Sequence, residues 1–256
     1  MHNRNKKPSA AEKIFSALCV GLILIGFLWF SIRAIGLKLD FTTLLRYRQR
    51  IWQGFRMTLL ISVGSLALSL LIGILTALGQ KARVLVVSYF CRIYVQIIRG
   101  TPLLVQIYFF YYIIGTAWGI SNRYLAGIMI LSIFEGAYIS EIIRGGMESI
   151  DHQQFEIARA IGLTPARTFQ LVTLPILAAR TLPALAGQFA SIIKDSSLLS
   201  VIAVIELTQT IQEISADNFR MFENYIFVGL LYFVLTFFVS LLSGRLEKRF
   251  RYEDRA

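Results

Sequence analysis

Apolar runs long enough to cross a lipid bilayer recur along this chain, separated by charged and turn-forming segments. Residues 14–32 run without a charge, and 57–80, 103–118, 125–143, 181–207 and 224–244 follow, the fourth and fifth interrupted by ionisable residues. About 20 apolar residues in a helix cross the roughly 30 Å hydrocarbon layer. The pattern therefore predicts an all-α, polytopic helical membrane protein with six transmembrane helices. Gly64, Ser65, Ser69 and Gly73 supply the small side chains that let membrane helices approach closely. A cleaved signal peptide is the competing reading of the first run. That run is longer than a signal core and no small-x-small cleavage site follows it, so it reads as a retained span.

Composition supports a membrane subunit. The 256 residues are 56% hydrophobic with a mean hydropathy of +0.63, too apolar for an ordinary soluble domain. A net charge of +11 suggests nucleic acid in a soluble chain, but here the bases belong beside the spans and no nucleic-acid partner is implied. Six spans place both basic tails on one side, read as cytoplasmic: Arg4, Lys6, Lys7 and Lys13 at one end, Arg245, Lys248, Arg249, Arg251 and Arg255 at the other. Lys81, Arg83, Arg92 and Arg99 fall on that side as well. Arg33, Lys38, Arg46, Arg48, Arg50 and Arg56 run against the rule. An interfacial stretch resolves the conflict, with Phe41, Leu44, Leu45, Ile51, Trp52 and Phe55 among the headgroups and the bases snorkelling. Cys19 and Cys91 read as buried thiols, and His2 and His152 assemble no metal cluster. Glu206, Glu213, Asp217 and Glu223, opposed by Arg220, read as an acidic outer loop, either solvated or a docking face.

One polar connection is longer than the others. Asp151 and Gln154 have the form of a helix cap with a capping-box partner. Phe155, Ala158 and Ile161 then share a helical face, with Glu156 and Arg159 as an i,i+3 ion pair. Gly162 suits a left-handed closing residue, and Thr164-Pro165 starts a second helix that Pro175 stops. Two short helices at a sharp bend form either a stable interfacial loop or a docking element for a soluble partner.

Glu156-Ile157-Ala158, three residues, Gly162, nine residues, Val172, one residue, Leu174-Pro175 resembles the coupling loop, the Glu-Ala-Ala motif, of ABC-transporter permeases. Ile157 and Val172 are its two conservative departures. Arg99-Gly100-Thr101-Pro102, continuing through Gln106, is similar to a segment of permeases in the polar amino acid uptake branch of ABC importers. Lys194-Asp195-Ser196-Ser197-Leu198 resembles another, with Ser196 where Thr is usual. The resemblance implies an N-terminal extra helix (1–53, with its tail and interfacial segment), a five-helix permease core (54–249) containing a cytoplasmic coupling loop (145–180), and a short tail (250–256). It further implies a multi-pass protein of a bacterial inner membrane, with both termini cytoplasmic. Its implied partners are cytoplasmic ATPase subunits, which bind the ATP and Mg, a second permease subunit, an extracytoplasmic amino acid-binding protein and membrane lipid. Glu156, Ile157, Ala158, Arg159, Gly162, Leu174 and Pro175 are the implied coupling positions.

No G-x-x-x-x-G-K-[ST] loop and no nucleophile–base constellation occurs in the chain, so it reads as a permease without a catalytic site or bound cofactor of its own. Carboxylates at membrane depth face cavities or partners. Glu141 and Arg144 make an i,i+3 pair near the end of the fourth span. Glu135, deeper, either lines the pathway and attracts a substrate ammonium or bonds to a partner permease. Lys194 and Asp195, about 100° apart on a helix, reach different neighbours. A self-sufficient secondary transporter, for which Glu135 and Lys194 argue, and a membrane anchor are the rival classes. An opine or another amine-bearing solute is the rival cargo.

Overall fold

The computed structural model describes residues 9–36 and 39–250. His2, Arg4, Lys6, Lys7, Lys38, Arg251 and Arg255 lie outside the described residues, as do the side chains of Lys13, Lys248 and Arg249. The chain divides into two compact units, Met1–Phe41 and Thr42–Ala256.

The first unit is one helix, α1 (Ala10–Ala34). Ser9 caps it reciprocally with Glu12: Glu12 N–H donates to Ser9 Oγ at 3.2 Å, and Ser9 N–H to Glu12 Oε2 at 2.7 Å. Its apolar stretch Ile14–Ala34 is long enough to cross a membrane.

The second unit holds the bundle, and no strand occurs among its described residues. It begins at Thr42, ahead of the 53/54 boundary expected from sequence, because Leu44 and Ile51 are buried in one cluster with Leu207, Ile211 and Ile214. A 3₁₀ turn, Thr42–Tyr47, leads into α2 (Arg48–Gln80), and α2 packs most extensively on α5 (Arg123–Glu148). The seam is built from small residues. Ser65, Ser69 and Gly73 are buried; Ser132 Oγ donates to Ser65 O at 3.3 Å; and a Cβ on Gly73 would meet the Ile139 side chain. Of the small residues anticipated for close approach, Gly64, Ser65 and Gly73 therefore face α5.

The expected third span, 103–118, is one arm of a bent helix pair, with the break at the turn that Arg99-Gly100-Thr101-Pro102 predicts. Helix α3 (Leu85–Gly100) and α4 (Leu103–Tyr108), extended by a π-helical turn through Gly115, meet at 112°. At about 1.5 Å per residue neither arm alone reaches across about 30 Å. The bend falls at Thr101-Pro102, where Thr101 is extended at φ −124°, ψ 144°, as the residue before a proline prefers. Gln106 fastens it: Nε2 donates to Ile98 O at 2.7 Å, Thr101 Oγ1 at 2.7 Å and Thr101 O at 3.1 Å. With this pair counted as one span, the helices long and apolar enough to cross a membrane number six among the described residues.

After α5 come α6 (His152–Ala160) and α7 (Pro165–Thr168), then a π turn, Phe169–Thr173, and α8 (Leu174–Asp195), which tightens to a 3₁₀ turn through Ile202. Pro175 does not stop the helix as expected. It occupies the second position of α8, directly after the wide turn, where Leu174 N–H reaches back to Phe169 O. A proline cannot donate and crowds the carbonyl four residues earlier, and a π turn absorbs both defects while the axis continues. Helices α9 (Leu207–Asn218) and α10 (Met221–Phe250) complete the unit.

The expected acidic loop is largely α9, and three of its carboxylates are paired, Glu223 with Arg220 at 3.3 Å. Arg50 donates to Glu213 at 2.8 Å and to Asp217 at 2.7 Å, so one of the awkward bases near the first spans is neutralised within the fold. Glu206 belongs to the interior and caps α9.

Candidate functional site

The longest polar connection folds as an elbow. Asp151 caps α6 by accepting from Gln153 N–H at 3.0 Å; Gln154 does not complete the anticipated reciprocal box. At the other end Gly162 takes φ +77°, with Gly162 N–H donating to Arg159 O at 3.0 Å and Leu163 N–H to Ala158 O at 2.9 Å. That paired arrangement satisfies two carbonyls that the helix would otherwise leave open. Thr164 Oγ1 accepts from Arg167 N–H at 3.4 Å, with Pro165 at the first helical position.

Ala158 is the coupling candidate that is buried, at 1% exposure. Glu156, Arg159, Gly162, Leu174 and Pro175 are exposed, as is Ile157 at 56%, with Ile161, Phe169 and Leu171 presenting further apolar surface. Glu156 faces His152 Nδ1 at 3.4 Å and not Arg159. The i,i+4 neighbour lies under its side chain, whereas Arg159 lines a shallow recess with Phe155, Leu163 and Phe169. The elbow is thus a shaped surface with both charge and apolar area turned outward.

A second cluster lies inside the bundle. Glu135 is fully buried, Gln188 Nε2 donates to its Oε2, and the Asp195 carboxyl approaches it from α8. Among the described residues Glu135 Oε1 accepts no hydrogen bond. Lys194, next in sequence to Asp195, is exposed, in keeping with their separation around the helix. Gln188 escaped notice in the sequence. It lies two turns before Asp195 on one face of α8, and that i,i+7 relation was the available signal.

A third cluster joins two helices, α3 and α5. Glu141 receives Arg144 Nε at 2.8 Å and Arg99 Nη1 at 3.1 Å, while Arg144 Nη1 also reaches Glu148 at 2.6 Å. Arg99 lies over the Tyr138 ring, with its guanidinium carbon 5.3 Å from the centroid. The expected Glu141–Arg144 pair is present, enlarged by Arg99 from the Arg99-Gly100-Thr101-Pro102 segment. From the opposite flank Arg180 donates to Ser149 O, tying α8 to the end of α5. Gly100 lies beside Arg99 along the same cleft, while Thr101 and Pro102 form the bend itself.

The bundle and its elbow have known counterparts. Residues 69–252 match the family described as the binding-protein-dependent transport system inner membrane component. The glutamine transport system permease protein GlnP of Escherichia coli (strain K12) is 37% identical over 201 residues, covering 78% of this chain and 92% of that protein. The probable glutamine ABC transporter permease protein GlnP of Bacillus subtilis (strain 168) is 37% identical over 202 residues, 78% of this chain and 93% of that one. Among solved structures, an amino acid ABC transporter crystallised with histidines superposes with a TM-score of 0.77 at 33% identity, over 83% of this chain and all of that one. The inward-facing MetNI methionine transporter, at 17% identity and a TM-score of 0.62, shares the fold. This chain belongs to the family of inner membrane components of binding-protein-dependent transport systems.

Proposed function

We propose that the chain is a permease subunit of an ATP-driven importer that takes up polar amino acids, glutamine among them, from an extracytoplasmic binding protein. The observation that carries the coupling half of this reading is the elbow at Gly162. A two-helix element closed by its own caps, exposing Ile157, Ile161, Glu156 and Arg159, is built to seat in a soluble partner. That partner is a cytoplasmic ATPase subunit, which supplies ATP hydrolysis with its Mg, and a second permease chain completes the pathway. Closure of the ATPase pair would move the elbows and, through α5 and α8 on either side of them, switch the bundle between its two access states. Two glutamine permeases at 37% identity support this cargo. Within the bundle, Glu135, Gln188 and Asp195 form the acidic, hydrogen-bonding group suited to a substrate ammonium.

The test is a pull-down of the tagged chain from its native membranes in mild detergent, with co-purifying proteins identified by mass spectrometry. A P-loop ATPase recovered with the wild type and lost with Gly162→Asp supports the coupling role. The chain recovered alone, repeatedly, overturns it in favour of a secondary transporter. The recovered complex, placed in liposomes with a binding protein, should take up labelled glutamine only with ATP, and more slowly with Glu135→Gln.

A further inference from the structure

A cleft of about 680 Å³ lies between the ends of α2 and α5 and the flank of α3. Its lining carries four bases, Lys81, Arg92, Arg99 and Arg144, against two acids, Glu141 and Glu148. The acids are committed to Arg99 and Arg144. Lys81 and Arg92 make no ion pair among the described residues. The uncompensated positive charge therefore belongs to the mouth formed by the last turn of α2 and the middle of α3.

Helix α3 presents two stripes side by side. Arg92, Gln96 and Arg99, spaced i, i+4, i+7, border the cleft. Val86, Phe90, Ile93 and Ile97, spaced four, three and four residues apart, form a continuous apolar stripe with exposures from 52% at Ile93 to 78% at Val86. Lys81 follows the last residue of a span, α2, which places the cleft at headgroup depth. A soluble anion would engage the bases and leave the apolar stripe uncovered. An amphiphile with an anionic head satisfies both stripes at once.

We propose that the cleft holds the phosphate headgroup of an anionic phospholipid against Lys81 and Arg92, with an acyl chain laid along Val86, Phe90, Ile93 and Ile97. Each base near a headgroup phosphate favours anionic lipid, and basic pockets between membrane helices are the general setting for such recognition. The bound lipid would brace α3 against α5 beside the Arg99–Glu141–Arg144 cluster. The site is independent of the cargo.

The experiment is native mass spectrometry of the full chain released from nanodiscs of equal phosphatidylglycerol and phosphatidylcholine. Expected is retention of phosphatidylglycerol over phosphatidylcholine, falling about 30-fold in Lys81→Gln/Arg92→Gln. Arg83→Gln, two residues after Lys81 and outside the cleft lining, should keep the preference. Equal retention of the two lipids by wild type overturns the proposal, as does an equal loss in the Arg83 and the double variants. Displacement of the retained lipid by millimolar inorganic phosphate also overturns it, making the cleft a soluble-anion site. A second copy of the chain released in place of lipid assigns the stripe to protein contact instead. Unchanged thermal unfolding of the double variant excludes misfolding as the cause of its loss.

Discussion

Glu206 shows how this fold keeps a carboxylate out of solvent. Its Oε1 accepts from Gln209 N–H at 2.7 Å, and its Oε2 from Thr208 N–H and the Tyr232 hydroxyl, both at 2.8 Å. Burial pushes its carboxyl above the usual carboxylate range, while those donors pull it back. Replacing it with Ala leaves two amides of α9 and the Tyr232 hydroxyl without this acceptor, at a cost of about 1–3 kcal/mol. Glu206→Gln, which keeps one acceptor oxygen, should lose less. Thermal unfolding in detergent measures both; identical midpoints for wild type and Glu206→Ala would remove Glu206 from the stability of α9. Sequence groups Glu206 with Glu213 and Asp217 by charge alone, since the Tyr232 hydroxyl that marks it as interior lies 26 residues away. Gly162 is the opposite case. A residue after an amphipathic turn and before Thr-Pro has one conformational use, and φ +77° with open space around it is that use.

Among elements, the α2–α5 seam decides how tightly the bundle closes. A side chain at Gly73 would collide with Ile139 and approach the Gly136 carbonyl, so Gly73→Val should overpack the seam by about 1–3 kcal/mol. Gly64, on the same helix, has Ile128 at ordinary contact distance, and Gly64→Ala should be nearly neutral. Unfolding midpoints of the two variants, measured side by side, test the contrast; equal losses would mean the seam yields. The paired proline sites also part company at this scale. Pro102 coincides with a 112° bend because Thr101 is extended and Gln106 caps the broken end. Pro175 sits in a continuing helix because a π turn precedes it. Sequence alone assigns a stop to both, since what differs is the hydrogen-bond register of the turn before each proline.

In the whole molecule, residues 42–250 carry every cluster described above, and residues 1–41 form a compact unit of their own. Deleting 1–41 should leave the bundle folded, with an unchanged unfolding midpoint and, if the coupling proposal holds, undiminished ATPase recovery. A shift of the midpoint to markedly lower temperature would show that the first helix contributes to the bundle. The family match over residues 69–252 points the same way.

The sequence by itself determined the helical membrane architecture, the elbow with its caps, and the family. Hydrocarbon length, helix caps and motif spacing are all local, written within a few turns of chain. Only the tertiary structure decided which ionisable groups meet. Glu135 finds Gln188 and Asp195 from another helix, Arg50 finds Glu213 and Asp217 more than 160 residues away, and Arg99 joins Glu141 across a bend. Charge is nonlocal, and burial turns a nearby partner into a required one. The pairing could therefore be read only once the helices were in place.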